Sequence, residues 1–158
     1  MKSLTLNPIG RIRVHDGRCF LALDARYAEG LLALEGFGHL CVLWWFDGCD
    51  DARSRSMLSE NAPYANAPER IGTFATRSPQ RPNPIALSIA GVMAINHERA
   101  EIEVDYIDAE DGSPLLDIKP YTPSLDRVEH PRVPDWCASW PASVEASGDF
   151  DWSQVFNL

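Results

Sequence analysis

After His39 the chain passes through seven consecutive apolar residues, LCVLWWF (Leu40–Phe46). No other feature constrains the fold as tightly. The run is shorter than the roughly 10–12 residues of a typical buried helix, and its valine, tryptophan and phenylalanine suit extended chain. Unbroken apolarity, in place of alternation, predicts a central strand covered on both faces. Such a strand needs neighbours on either side, and they are readable. Ile9–Val14 (IGRIRV) alternates, His15-Asp16-Gly17 makes a turn, and Cys19–Leu23 returns. Asp24 is placed to cap a short helix over Ala25–Leu34, where Tyr27, Leu31 and Leu34 share one face. Gly36 and Gly38 would end it.

Beyond the central strand, Asp47–Glu69 is polar and rich in breakers, which predicts a long loop. Ile71–Thr76 and Ile85–Ile95 read as strands, and Glu101–Ile107 (EIEVDYI) alternates acid with apolar as a half-exposed strand does. Asp111-Gly112-Ser113-Pro114 is a turn, and Leu115–Lys119 is the return strand. Six or seven short strands with one short helix predict an all-β fold, an antiparallel barrel or sandwich. From Pro120 the chain is proline-rich and should run extended, while Trp136, Trp140 and Trp152 need a surface to pack on. The chain thus divides into a β unit over residues 1–125 and a tail over 126–158, packed on the barrel or on a second subunit.

A length of 158 residues suits one domain. No apolar run reaches membrane-span length, and the start, MKSLTLNPIG, lacks a signal-peptide pattern, so a cytoplasmic location is expected. The four cysteines and four histidines are dispersed without ligand spacing, so no structural metal is expected. The net charge of −9 opposes non-specific binding to nucleic acid. The charge is uneven, however. Residues 1–99 carry 11 Lys+Arg against 10 Asp+Glu, and residues 100–158 carry 3 against 13. Arg53, Arg55, Arg70, Arg77 and Arg81 fall in one central segment, which allows a local cationic face.

Within that segment lies ATRSPQRPNPIALS. Pro79, Pro82 and Pro84 each fix φ and restrict the residue before them, so the loop loses little entropy on holding a ligand. Arg77 and Arg81 present planar forks suited to carboxylate or phosphate, and Asn83, Ser78 and Ser88 add neutral polar groups. These residues alone point to an anion-binding loop, or to a stiff loop bearing two solvated arginines.

The literal sequence goes further. GTFATRSPQRPNPIALS together with GSPLLDIKPY resembles the signature pair of the YaeB/TrmO-like family, and ALEGFGHLCVLWWF resembles that family's apolar strand. The likeness covers roughly residues 7–125. It implies an antiparallel β-barrel, and S-adenosylmethionine-dependent methylation of N6 of the threonylcarbamoyl-modified adenosine beside the tRNA anticodon. It also implies a homodimer with the cofactor near the interface. The glycine-rich fingerprint of doubly wound cofactor folds is absent, in keeping with the family.

Carried onto this chain, the resemblance implies that Arg77 and Leu87 contact the cofactor. Asp111, Gly112, Ser113, Pro114 and Leu115 would add backbone groups and a carboxylate, and Asp47 and Gly48 stand where many relatives have a His-containing pair. Many relatives also carry a P-R-Q-P-G-like segment between the first two strands, whereas IGRIRVHDGRCFLAL here runs straight through a tight turn. Methyl transfer needs alignment of nucleophile, methyl and sulfur, and a group to take the proton shed by an exocyclic amine. Asp117, Lys119 and Tyr121 of L-D-I-K-P-Y are the expected catalytic group. Arg81 and Asn83 are expected to hold the substrate, and Lys119 can share its charge with Asp117 in an ordinary ion pair. Asp126 and His130 are further candidates, and His39 reads as a packing histidine.

Three functions fit these readings. The first is a tRNA adenosine methyltransferase acting as a dimer through a local basic face. The second is a methyltransferase on a small molecule or other substrate, which the acidic composition favours. The third is a non-catalytic S-adenosylmethionine-binding module.

Overall fold

The computed structural model describes residues 3–157. Strands β1 (Gly10–His15) and β2 (Arg18–Leu23) form the first hairpin. Its two-residue turn needs left-handed backbone at both positions, and Asp16 (φ 49°) and Gly17 (φ 72°) supply it. The apolar run becomes β3 (His39–Trp45), followed by the short strands β4 (Ser59–Asn61) and β5 (Arg70–Gly72). The long β6 (Ile85–Asn96), then β7 (Glu101–Val104) and β8 (Pro114–Pro120), complete the set. Six strands close into an antiparallel barrel in the order β1-β2-β7-β6-β3-β8, and β4 pairs only with β5.

The barrel interior is filled by Ile12, Leu21, Leu40, Val42, Ile102 and Leu115, all at 0% exposure. At Gly10 the strands approach so closely that a Cβ would lie 2.1 Å from the Ala22 carbonyl oxygen, which is why glycine stands there. β3 lies between β6 and β8, with Leu40, Val42 and Trp44 inward and His39, Cys41, Leu43 and Trp45 outward. The inward face is fully buried. The outward face is covered only in part, most completely at Cys41, because in an antiparallel barrel that side meets only what the loops and tail lay over it.

Several expected elements are reshaped. Ala25–Leu31 is a 3₁₀ helix, and Asp24 does not cap it; its carboxylate pairs with Arg26 at 3.3 Å. The strand expected over Ile71–Thr76 stops at Gly72, where a 3₁₀ turn begins (Thr73–Ala75) and the Thr73 hydroxyl donates to the Met57 carbonyl at 3.0 Å. β7 ends at Val104 because Asp105 turns back, its Oδ1 accepting from the Gly91 and Tyr106 amides at 2.8 and 2.6 Å. The loop Asp47–Glu69 contains a one-turn helix (Ala52–Arg55), capped by the Asp51 carboxylate, as well as β4.

The tail lies on its own chain. Tyr64 stacks on Trp136 (5.5 Å between centroids, 10° between planes) and meets Trp140 edge-on at 5.2 Å. Trp152 and Phe156 continue this cluster. Backbone bonds from Ala65 to Val155 (2.7 Å) and from Asn157 to Pro63 (3.1 Å) fix the loop and the tail together.

Candidate functional site

The candidate residues fall in two adjoining places, one at the barrel rim and one on the outer face around β3. At the rim, β3 runs into Asp47 and Gly48, the β7–β8 connection brings in Asp108, Glu110 and Ser113, and the proline loop lays Pro79 across. All of these but Gly48 line a cleft of about 290 Å³, with Trp44, Phe46, Cys49 and Ala109 completing the lining. Gly48 takes a φ of 76°, a left-handed turn that lets the chain leave β3 sharply. Ser113 has 0% exposure, and its hydroxyl has no hydrogen-bond partner within the described residues. A buried hydroxyl facing such a cleft is an invitation to a polar ligand, because leaving it unpaired costs roughly 1–3 kcal/mol.

The Asp111 turn is fastened to the first hairpin. The Asp111 carboxylate accepts from the Val14 amide at 2.9 Å and from Arg13 at 3.3 Å, and the Val14 bond is the main reason its pKa falls below the ordinary carboxylate value. Gly112 (φ 91°) donates to the Ile12 carbonyl at 2.8 Å, and its own carbonyl accepts from Arg11 at 2.8 Å. Pro114 opens β8 opposite Arg11. Leu115 is a core residue, so only its backbone faces outward events, and its carbonyl already accepts from Ile9 at 2.8 Å.

On the outer face the sheet register sets the spacing. Asp117 and Leu87 both lie opposite Leu43, on its two sides. They are therefore two strand spacings apart, about 9–10 Å. One step along, Lys119 and Ile89 flank Cys41. The segments carrying R-P-N-P and D-I-K-P-Y thus share a face with β3 between them, and do not touch through β6 and β8. Asp117 Oδ2 accepts from the Lys119 ammonium, and this bond raises the lysine's pKa. Tyr121 donates its amide to the His39 carbonyl at 2.9 Å, and its ring meets the His39 ring edge-on at 6.5 Å. Burial pushes the Cys41 thiol up, so it acts as a small hydrophobe.

Arg77 and Leu87 come together. The first half of β6 pairs with β3 and only Val92–Asn96 pairs with β7, so one edge of the first half is open. The Arg77 guanidinium donates to the Leu87 carbonyl, while the Leu87 side chain stays 46% exposed. Arg81 turns inward on its own loop, donating to the carbonyls of Ser78 (2.6 Å), Thr76 (2.7 Å) and Thr73 (3.4 Å). Asn83 accepts from Arg55 at 3.4 Å, and Arg55 lies over the Trp45 ring. Ser88 accepts from the Trp44 indole at 3.0 Å. The sequence reading missed Phe46, Cys49, Asp108 and Glu110, all of which line the rim cleft. Phe46 and Cys49 lie beside the Asp47-Gly48 pair in sequence and were within reach, whereas Asp108 and Glu110 enter the cleft only through the β7–β8 connection.

A small closed barrel with a half-open polar cleft at its rim and charged groups on the neighbouring outer face defines a ligand-binding barrel, built without the parallel sheet of dinucleotide folds. The chain belongs to the family described as tRNA-methyltransferase O N-terminal domain, whose model matches residues 3–127. It is 39% identical over 116 residues to an S-adenosyl-L-methionine-binding protein of Archaeoglobus fulgidus, covering 73% of this chain and 78% of that one. It is 31% identical over 140 residues to the tRNA (adenine(37)-N6)-methyltransferase of Escherichia coli, covering 87% of this chain and 57% of that enzyme. The crystal structure of TrmO from Pseudomonas aeruginosa superposes with a TM-score of 0.64 at 27% identity, over 83% of this chain and 62% of that one. This chain therefore spans less than two thirds of both of the last two proteins.

Proposed function

We propose that the protein is an S-adenosylmethionine-dependent methyltransferase that methylates N6 of a threonylcarbamoyl-modified adenosine beside the tRNA anticodon. Family membership supports the class, and the rim cleft supports the cofactor. The observation that carries the reading is the unpartnered Ser113 hydroxyl in a cleft lined by Asp47, Asp108 and Glu110. Three carboxylates suit a ligand bearing a sulfonium and an ammonium group. At about 290 Å³ the cleft falls at the lower limit of ligand pockets, roughly 300–1,000 Å³, so a nucleotide needs further wall. A second copy of the chain would supply it, making the working form a homodimer. Residues 1–125 are the methyltransferase unit and 126–158 the tail, acting in the cytoplasm with tRNA.

Bound S-adenosylmethionine supplies an activated methyl group. The chain's own residues align the acceptor and take its proton. Ser113 and the carboxylates Asp47, Asp108 and Glu110 would hold the polar end of the cofactor, and Arg77 and Leu87, which lie outside the cleft, would contact any part that extends onto the outer face. On the outer face Asp117 keeps Oδ1 open while Oδ2 holds Lys119, so Oδ1 can receive the proton that the amine sheds. Lys119 and Tyr121 then steady the acceptor, by charge and by stacking.

The test is incubation with methyl-labelled cofactor and tRNA from cells lacking the modification, using wild type and Asp117→Asn. Labelled N6-methyl adenosine from wild type, with turnover in the variant reduced more than cofactor affinity, is expected. Label in a metabolite fraction and none in tRNA favours the small-molecule reading, to which the acidic composition points. Cofactor binding with no product favours a binding module.

A further inference from the structure

A groove of about 1240 Å³ lies between the outer face of the barrel and the tail. Its floor is Cys41, Leu87 and Ile89, Tyr121 stands at one side, and the opposite wall includes Arg127, Arg132 and Trp140. The volume exceeds what a single small ligand fills and suits an extended one. The family match ends at residue 127, so nearly all of this wall lies beyond it.

The charges in the wall are unevenly placed. Residues 100–158 hold thirteen acids and only three Lys or Arg: Lys119, Arg127 and Arg132. Arg127 and Arg132 line the groove, and Lys119 sits opposite the floor residue Cys41. His39 and His130 line it too. Both arginines are exposed, and neither has an ion-pair partner among the described residues. Three acids line the groove as well: Asp126, which accepts from the Thr122 amide at 2.7 Å, Glu145, which bonds Ser143, and Glu129; all three keep their charge. Two unpaired guanidiniums at an aromatic-edged groove are the parts of a single-strand RNA site, where cations follow phosphates and rings take bases.

We infer that the tail is the RNA-reading wall of the acceptor site: Arg127 and Arg132 pair with phosphates of a single-stranded anticodon loop whose bases lie against Tyr121 and Trp140. This rests on the tRNA reading above. It explains how a protein of net charge −9 meets RNA through one local surface.

The experiment compares wild type with the double variant Arg127→Ala/Arg132→Ala, using an anticodon stem–loop RNA bearing the modified adenosine. Affinity is measured across salt concentrations, and S-adenosylmethionine affinity is measured in parallel. The double variant should bind the RNA roughly tenfold more weakly, and its slope of log affinity against log salt should fall by about 1.4, or 0.7 per lost contact. Cofactor affinity should not change. Glu129→Gln should tighten RNA binding. If wild type binds the RNA and the double variant matches it in affinity and slope, the tail is not the RNA wall, and the proposed function stands. If wild type neither binds nor methylates the RNA, the tRNA reading falls and this inference with it.

Discussion

Arg81 was expected to grip substrate, but its geometry makes it a brace, and Arg81→Met separates the two roles. Methionine keeps much of the stem and removes every donor. The bonds to Ser78 and Thr76, at 2.6 and 2.7 Å, are well formed, while the one to Thr73, at 3.4 Å, is at the limit of a hydrogen bond. Charged hydrogen bonds contribute about 1.5–3 kcal/mol when shielded, and the half-buried setting brings each nearer to about 1. The loop should therefore lose about 2 kcal/mol of local stability. Since 1.4 kcal/mol is tenfold, hydrogen exchange at the Thr76 and Ser78 amides should quicken roughly thirtyfold in the free protein. Cofactor affinity should weaken by up to the same factor, because binding must then re-order the loop. Exchange by mass spectrometry or NMR, without ligand, is decisive. A residue that only touched substrate would leave exchange in the free protein unchanged, and that result would refute the brace.

Leu115→Ala should cost about 2–5 kcal/mol in urea denaturation, the range for a fully buried leucine, with cofactor affinity per folded molecule unaltered; lost binding at unaltered stability would return Leu115 to the ligand site. Asp111 has its folded pKa lowered, chiefly by the Val14 amide, so its stabilisation is present above the ordinary carboxylate pKa of about 3.9 and disappears as pH falls through the lower folded value. Asp111→Asn should thus be less stable than wild type at neutral pH and should close that gap on acidification. Urea midpoints from pH 7 to pH 2 that keep a constant gap would show that the carboxylate's charge is immaterial.

The barrel was legible because its strands announce themselves locally. Alternation in IGRIRV and EIEVDYI, the D-G turns and the apolar run at β3 each follow from backbone and burial rules acting over a few residues. The misses arise where a side chain finds a partner, near or far along the chain, that periodicity does not show. The helix expected over Ala25–Leu34 depended on an Asp24 cap, but that carboxylate found Arg26 instead. EIEVDYI reads as strand to Ile107, yet Asp105 breaks it by reaching for Gly91 on β6. The charge of Arg81 was visible, but the three carbonyls that its own loop turns toward it were not. At the site, the family likeness named the residues, and only the register revealed which of them share a face.

The clearest case is β8, where periodicity misleads about the site itself. In S-P-L-L-D-I-K-P-Y, Leu115, Asp117 and Lys119 stand two apart, so a regular strand would put all three on one side. That side would be either the core, burying two charges, or the solvent, stripping the barrel of a leucine. The structure escapes the conflict with a bulge. Leu115 pairs with Trp44 and Asp117 with Leu43, so Leu116 is the extra residue. Beyond it the parity reverses: Leu115 is wholly buried, Ile118 packs on the core opposite Val42, and Asp117 and Lys119 face outward. One inserted residue therefore keeps the barrel closed and also aims the proposed proton acceptor at the face that Leu87 occupies. The L-L pair in this motif answers to backbone geometry, and the chemistry that follows it depends on that bulge.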